Sequence, residues 1–404
     1  MSNYIAAMEA AVLNGHFEVI RWLYENGFTK LGEVHEIASA NCGNLEICKW
    51  LHRNGCQFTR YVCTEIAARK GNLPLLQWFI KMGCKVTSST LSNAAAGEQL
   101  ETLKWLRNNG YEWNWYTCAA AAKTGNLTML QWVREQGCPW DVFTCAGAAS
   151  SGNLEMLKWA VEQKCSWSSS TTQSAAINGH FEVLKWAVEQ GCPTSEITLL
   201  NAAQYGSVEM LKLLQDKGCS VPSEAYTKAA KYGKIQVLDW LLENGVTKSD
   251  NACSAAAGSG QMDALKWLHK NGFKWDESTM ANAASYPDIF KWLHSNGCPS
   301  DTTAILNIIE ADNPKLLKWA LKREIKGSDD ICVDDATSHL ECLKILVLWK
   351  YPLTTATWKA AILGSQIRVL SWLLNEGCPI DTDACEQCDD EEVNEWLKRN
   401  GLKT

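Results

Sequence analysis

The chain contains GNLEMLKW at residues 152–159 and GHFEVLKW at residues 179–186, two octets whose final tryptophans lie 27 residues apart. The same register continues along all 404 residues and defines 15 anchor positions, of which 13 are tryptophan. The anchors are Trp22, Trp50, Trp78, Trp105, Trp132, Trp159, Trp186, Leu213, Trp240, Trp267, Trp292, Trp319, Ile345, Trp372 and Trp396. A period of this length is typical of repeat proteins in which each unit packs against its neighbours.

The sequence pattern within each unit predicts two helices. Around Trp132, the apolar residues Leu127, Met129, Leu130 and Val133 cover more than half of a helix circumference. A glycine follows the anchor by five residues in 12 of the 15 units, where it suits the left-handed position that ends a helix. Upstream, alanine pairs mark a shorter first helix that neighbours can approach closely; they stand at 67–68, 94–95, 121–122, 148–149, 175–176, 202–203, 229–230 and 256–257. The pattern predicts an all-α helix-turn-helix solenoid of about 15 units.

The unit resembles the ankyrin repeat in its alanine pair, in Gly179-His180-Phe181-Glu182, and in the apolar run that ends at Gly191. It departs from that family in three ways. The period is near 27 rather than about 33, tryptophan replaces the first residue of the family's leucine run in the second helix, and Thr171 stands where proline is usual. The resemblance is to short-loop ankyrin arrays of giant viruses of amoebae and some protists. It implies one ankyrin-like solenoid over residues 1–404 that binds proteins.

Two segments interrupt the regular pattern. The anchor spacing contracts to 25 between Trp267 and Trp292, so we expect a bend or irregular seam over residues 285–350, or else decay of the repeats without consequence. An acidic run at 389–392 opens the last helix, where negative charge suits the helix dipole. We therefore expect a C-terminal capping repeat at 381–404.

The 18 cysteines do not predict a metal site or a cofactor. Eight of them share the slot six residues after the anchor, and equivalent slots lie about 8–10 Å apart, too far for four thiolates to share one zinc ion. Cys385 and Cys388 form a lone C-x-x-C, which is a weak signal. The N-terminus has no basic segment followed by an apolar stretch, so we expect reduced thiols in an intracellular, reducing compartment, the host cytoplasm if the protein is viral.

Catalysis is not predicted. Six of the seven histidines fall in two repeated slots, whereas an active site needs a unique convergent group of side chains. Phosphate-binding glycine loops and nucleophile motifs are absent from the sequence. The chain is therefore interpreted as a binding protein rather than an enzyme.

Charge favours a protein partner. The net charge of −7 and the pI near 5.6 disfavour nucleic acid, and basic residues before the anchor are matched by acidic residues three positions earlier, as in Glu101 and Lys104. The sequence has no apolar run of the roughly 18 residues that a membrane span needs. Self-assembly into a homo-oligomer remains an alternative, and nucleic-acid binding a lesser one.

Aromatic residues outside the anchor positions suggest where a partner binds. The candidate protein-binding residues lie in repeats 4 to 6 and are Trp113, Trp115, Tyr116, Trp140, Phe143 and Trp167. Aromatic side chains are enriched at binding hot spots, whereas the anchor tryptophans are predicted to be core. The alternative is that each loop tryptophan stacks on the next loop and replaces the packing lost with the missing ankyrin hairpin. The function predicted is a scaffold or competitive inhibitor that binds a host or viral protein on its concave, loop-bearing face.

Overall fold

The computed structural model describes residues 2–29, 33–325 and 333–403. Across these residues the chain forms 29 α-helices and short 3₁₀ turns, without a strand. The helices alternate between a first and a second helix of each unit, joined by tight turns. The prediction of an all-α helix-turn-helix solenoid of about 15 units is confirmed.

The first helices carry the alanine pairs. They are α1 (Ser2–Leu13), α3 (Glu33–Cys42), α5 (Tyr61–Arg69), α7 (Ser88–Ala96), α9 (Trp115–Thr124), α11 (Val142–Ser151), α13 (Ser169–Ile177), α15 (Glu196–Tyr205), α17 (Glu224–Lys231), α19 (Ala252–Gly258), α21 (Glu277–Asn282), α23 (Thr302–Glu310), α26 (Thr355–Leu363) and α28 (Thr382–Glu386).

The second helices carry the anchors. They are α2 (Phe17–Glu25), α4 (Leu45–Arg53), α6 (Leu73–Lys81), α8 (Leu100–Asn108), α10 (Leu127–Glu135), α12 (Leu154–Glu162), α14 (Phe181–Glu189), α16 (Val208–Asp216), α18 (Ile235–Glu243), α20 (Met262–Lys270), α22 (Pro287–Ser295), α24 (Pro314–Leu321), α25 (Leu340–Leu348), α27 (Ile367–Asn375) and α29 (Glu391–Arg399).

Two compact units make up the chain. The first comprises Met1–Ala202 with Glu209–Ser220, and the second comprises Ala203–Val208 with Val221–Thr404. In the first unit α5, α7, α9, α11 and α13 pack side by side, and in the second α17, α19, α21 and α23 do the same. The alanine pairs are buried at these interfaces because small side chains let the helices approach closely. A single solenoid over 1–404 stays a prediction.

The anchor tryptophans are less buried than predicted. Eleven of the 13 are half-buried, Trp22 is 60% exposed, and Trp240 alone is buried, at 5% exposure. In α10 the fully buried positions are instead Leu130 and Val133. The anchor lies at the edge of the buried stripe and contacts the preceding unit: the Trp50 ring centroid lies 5.2 Å from that of Tyr24. The prediction that all anchors are core is therefore wrong, because one side of each second helix faces solvent.

The residue five positions after the anchor adopts a left-handed backbone even where glycine is missing. Gly137 has φ 79°, and the three replacements Lys164, Glu324 and Lys350 have φ values of 66°, 50° and 68°. A side chain in this conformation costs roughly 1–2 kcal/mol. The helix-ending role that the glycine pattern predicted is thus imposed by the turn, whichever residue occupies it.

Lys164→Gly is therefore expected to raise the free energy of unfolding by about 1 kcal/mol, because glycine adopts this backbone without steric cost. Gly137→Ala is the matched reverse change. Its new Cβ would meet nothing within 4 Å, so any loss of stability reports the cost of the left-handed backbone alone. Urea unfolding followed by circular dichroism measures both. A destabilised Lys164→Gly variant would contradict this account.

Irregular elements occur in the second unit. A 3₁₀ turn spans Ala283–Ser285 after α21, and another, Val333–Ala336, stands where the first helix of the unit containing α25 is expected. Residues 326–332 of the predicted seam lie outside the described residues. The bend over 285–350 stays a prediction.

The C-terminal unit consists of the short α28 followed by α29. At the start of α29 the Asp390 carboxylate accepts a hydrogen bond from the Val393 backbone N–H at 3.0 Å. That bond lowers the pKa of Asp390 below its usual value. Asp390 therefore caps the last helix, while the role of 381–404 as a capping repeat stays a prediction.

Candidate functional site

The six candidate binding residues separate into two sets. Asn114 caps the first turn of α9, with its side chain accepting from the Tyr116 backbone N–H at 3.0 Å. Trp113 precedes this cap in the loop, whereas Trp115 and Tyr116 follow it on the helix. The same division places Trp140 and Trp167 in loops and Phe143 on α11.

The loop tryptophans pack edge-on against anchor tryptophans of the next unit. Trp113 lies against Trp132 with ring centroids 6.0 Å apart and an interplanar angle of 79°. Trp140 and Trp167 repeat the contact with the anchors Trp159 and Trp186 at 5.8 Å. All three loop rings are half-buried. The rings therefore pack between units, on the next anchor tryptophan rather than on the next loop that the alternative interpretation named.

Arginines cover two of these rings. The guanidinium of Arg107 lies 4.3 Å from the centroid of Trp113, and that of Arg134 lies 4.5 Å from Trp140. A cation over an indole face adds attraction to the apolar contact. The loop tryptophans therefore have partners within the chain, and a role for them in binding stays a prediction.

The three aromatic residues on the first helices form a contiguous exposed cluster, here called the aromatic patch. Trp115 is 40% exposed, Tyr116 55% and Phe143 50%. The Trp115 and Phe143 rings stack at 5.5 Å with an interplanar angle of 27°, and Tyr116 meets Trp115 edge-on at 5.6 Å. Helical backbone holds all three residues, so the patch is formed before any ligand binds.

A depression of about 300 Å³ lies beside the aromatic patch, between α9, α11 and α13. The aromatic patch, Lys123 and the rim residues Ser150 and Ser174 line it, and its floor consists of Ala119, Ala120, Ala146 and Gly147. A Cβ added at Gly147 would stand 2.8 Å from the Ala119 carbonyl oxygen. Glycine is therefore required there for α9 and α11 to approach this closely.

Two further depressions continue this surface along the first helices. One of about 500 Å³ shares Tyr116 and Lys123 with the first, and one of about 590 Å³ shares Arg69 and Asn93 with the second. We call the three together the first-helix groove. It crosses α3, α5, α7, α9, α11 and α13, all within the first compact unit.

The first-helix groove carries unpaired positive charge. Its charged lining residues are Arg69, Lys70, Lys123, Glu65 and Glu98. Within the described residues, neither Arg69 nor Lys123 lies within ion-pair distance of a carboxylate. Burial raises the pKa of the Glu65 carboxyl above its usual value.

Charges on the second helices are arranged differently. Lysines before the anchors pair with glutamates three residues earlier: Lys49 with Glu46 at 2.8 Å, and Lys104 with Glu101 at 2.7 Å. The sequence spacing predicted these pairs, and Glu18 and Glu341 form them too, but Glu155 and Glu182 at the same spacing make no ion pair within the described residues. Lys158 and Lys185 also follow a glutamate by three residues, but in the part of the chain that the structure describes neither lies within ion-pair distance of a carboxylate, so the pairing neutralises this surface only in part.

Six of the eight cysteines that follow an anchor by six residues connect their loop to the segment that begins the unit's first helix. Their Sγ atoms donate to backbone carbonyl oxygens at the beginning of the same unit's first helix: Cys84 to Phe58 at 3.2 Å, Cys138 to Asn114, Cys165 to Asp141, Cys192 to Ser168 and Cys378 to Thr354 at 3.4 Å, and Cys298 to Asp276 at 3.5 Å. The part of the chain that the structure describes holds no group of three metal-ligating side chains. Cys385 instead accepts from the Trp358 indole N–H at 3.3 Å.

The described helices are short and carry polar faces. Over residues 2–29, 33–325 and 333–403, no helix combines the length and apolarity needed to cross a bilayer.

Comparison with known proteins identifies no family. No family model matches the chain, and no curated protein does. Among solved structures it is similar to the pentatricopeptide repeat protein PPR10 from maize, with 13% identity, 99% of this chain and 74% of that chain covered, and a TM-score of 0.36. Two structures of PPR10 with an 18-nt psaJ RNA element, one of them a cysteine-to-serine variant, cover 98% of this chain and 84% of theirs at 13% identity and a TM-score of 0.29. These are helical repeat proteins, and the likeness concerns that fold class alone.

The prediction that disfavoured a nucleic-acid partner is wrong. The similar solved structures include helical repeat chains in complex with RNA. The sequence argument failed because net charge averages over the whole surface, whereas a ligand responds to the local field. Here a chain of net charge −7 has three cations, Arg69, Lys70 and Lys123, against two carboxylates in the lining of its groove.

Proposed function

We propose that this chain is a non-catalytic protein-binding module, acting as a scaffold or competitive inhibitor, and that it binds its partner on the first-helix groove. The observation that carries the proposal is the aromatic patch: Trp115, Tyr116 and Phe143 are exposed together beside an apolar depression. Contiguous exposed apolar surface with a polar rim marks interaction sites on soluble folds.

The arrangement of the groove supports a preformed interface. Large aromatic side chains supply most of the binding free energy at interfaces when a partner buries them fully. Regular helices hold them in position, so little conformational entropy is lost on binding. The small residues Ala119, Ala146 and Gly147 beneath them leave space for a partner's side chain.

Two finer parts of the proposal rest on sequence. Kinship with ankyrin arrays is supported by the helix-turn-helix unit and its alanine and glycine positions, with a shortened connection between units. A reducing intracellular setting is supported by the cysteine usage. Viral origin and a host or viral partner follow from the family resemblance alone.

Affinity capture from cells that naturally make the chain tests the proposal. The intact chain is compared with a Tyr116→Ala/Phe143→Ala variant and with a Tyr61→Ala/Ile197→Ala control, whose residues are 53% and 54% exposed outside the groove lining. We expect a protein that the intact chain and the control recover and that the groove variant loses by about tenfold or more. Unfolding midpoints of all three chains establish that the variants are folded.

Other outcomes contradict the proposal. Recovery that nuclease treatment abolishes would assign the groove to nucleic acid. Recovery of this chain alone, with concentration-dependent light scattering of the pure protein, would favour self-assembly. Equal recovery of one protein by all three chains would leave a binding module but move the site off the groove.

A further inference from the structure

The first-helix groove has two ends of different chemistry. Its end between α9 and α13 is apolar, with the aromatic patch above a floor of Ala119, Ala120, Ala146 and Gly147. Its other end, between α3 and α7, is polar and is lined by Asn41, Arg69, Lys70 and Asn93 among others. Lys123 lies at the junction, because it lines both the apolar depression and the middle one.

The apolar depression has room for one side chain. Its volume of about 300 Å³ is at the lower limit of ligand pockets, so it suits a single large side chain rather than a whole helix. Stacked Trp115 and Phe143 and the edge of Tyr116 surround it. Aromatic rings gain from offset and edge-on contact with other rings beyond the area they bury, which favours an aromatic occupant.

The cations of the groove indicate which charge a partner carries beside the side chain that enters the depression. Arg69 and Lys123 outnumber Glu98 in the lining of the middle depression, and within the described residues neither cation lies within ion-pair distance of a carboxylate. On the second helices Lys49 and Lys104 are neutralised by their own glutamates, whereas Lys158 and Lys185 have no ion pair within the described residues. What sets Arg69 and Lys123 apart is therefore their place in the groove beside the apolar depression. A ligand that brings carboxylates to the groove would pair charges that the fold leaves unpaired, and would do so beside low-dielectric apolar surface that strengthens the attraction.

We propose that the first-helix groove binds an acidic segment of a protein, with one aromatic side chain in the depression at Trp115, Tyr116 and Phe143 and with carboxylates at Lys123 and Arg69. This inference rests on the proposed function and names the chemistry of its partner. Arg69 belongs to a unit two positions before that of Lys123. Neighbouring helices lie about 8–10 Å apart and an extended chain advances about 3.3 Å per residue, so the two acidic positions are separated by about five or six residues.

Selection from a displayed library of short random peptides against the full chain tests this inference. We expect enriched sequences that combine one Phe, Tyr or Trp with Asp or Glu on one side of it. Fluorescence polarisation of the best labelled peptide then measures affinity. Phe143→Ala and Lys123→Glu are each expected to weaken binding by about tenfold, and Lys123→Arg is expected to retain it.

Two matched controls separate the groove from general effects. Ile197→Ala removes an exposed apolar residue of α15 in the slot equivalent to Tyr116 and Phe143, and Lys185→Glu makes the same charge reversal on the exposed side of α14. Neither should change the affinity. Replacing the aromatic residue of the peptide by alanine should cost little further in the Phe143→Ala variant, because the two changes remove the same contact.

Three results would overturn the inference. Enriched peptides without acidic residues or without an aromatic residue would do so, as would binding that Phe143→Ala leaves unchanged, or the absence of any enriched sequence. In each of these cases a partner captured through the groove would still support the proposed function. Binding of a labelled oligouridine RNA to the intact chain, if Phe143→Ala and Lys123→Glu each abolished it, would overturn both this inference and the proposed function.

Discussion

Trp240→Ala is expected to lower the free energy of unfolding by about 3–5 kcal/mol, whereas Trp22→Ala lowers it by less than about 1 kcal/mol. Both residues occupy the same position in their units, but Trp240 is 5% exposed and Trp22 is 60% exposed. Removing a buried indole loses the free energy gained by transferring it out of water and leaves a cavity. Removing an exposed indole loses little transfer free energy and leaves almost no cavity. Half-buried anchors such as Trp132 should fall between the two.

Denaturant unfolding of the three variants, followed by circular dichroism, measures the differences. Because a repeat array can unfold in stages, amide hydrogen exchange of α18 and α2 should accompany it. Exchange in α18 should accelerate strongly for Trp240→Ala. Equal losses for Trp22 and Trp240 would contradict the burial that the structure gives them.

Glu36→Ala is expected to cost about 2–4 kcal/mol of stability, although it removes a charge from an acidic chain. Glu36 is 2% exposed and its Oε1 accepts from the backbone N–H groups of Thr59 and Arg60, at 3.0 and 2.8 Å. The residue at the N-cap of α5, Arg60, makes no side-chain cap of its own. The preceding unit therefore supplies the acceptor, and its removal leaves two donors without a charged partner.

Glu36→Gln serves as the control, since it keeps the Oε1 acceptor and removes the charge. It should lose about half as much stability as the alanine variant, because hydrogen bonds to charged groups are about twice as strong as neutral ones. Hydrogen exchange at Thr59 and Arg60 should accelerate in the order wild type, Gln, Ala. An alanine variant as stable as the wild type would refute the capping role.

The fold was predictable because its determinants repeat. A glycine five residues after the anchor and an alanine pair upstream each have one physical reason, a left-handed turn and a close helix approach, and that reason recurs in nearly every unit. Even Lys164, Glu324 and Lys350 keep the left-handed backbone. Degree of burial was not predictable, because leucine at 213 and isoleucine at 345 are equally acceptable at a buried or a half-buried anchor.

The candidate site was predicted as one cluster because its residues are close in sequence. Trp113 and Trp115 are two positions apart, yet the helix start at Asn114 places one in the loop and the other on α9. A signal for the groove was present in the sequence: Tyr116, Ala120 and Lys123 are spaced by four and three residues, which places them on one helix face. Glu36 gave no such signal, since its partners lie in the next unit.

The cysteine slot gives the chain a set of built-in reporters. Thiol reagents attack the thiolate, and burial raises the pKa of Cys84 to about 12 and that of Cys192 and Cys378 to about 11. In the native protein these sulfurs are both covered and protonated at neutral pH, so alkylation must wait until the surrounding segment opens. Because the slot recurs from unit to unit, timed alkylation read by peptide mass spectrometry would follow the opening of individual units along the chain without an introduced label.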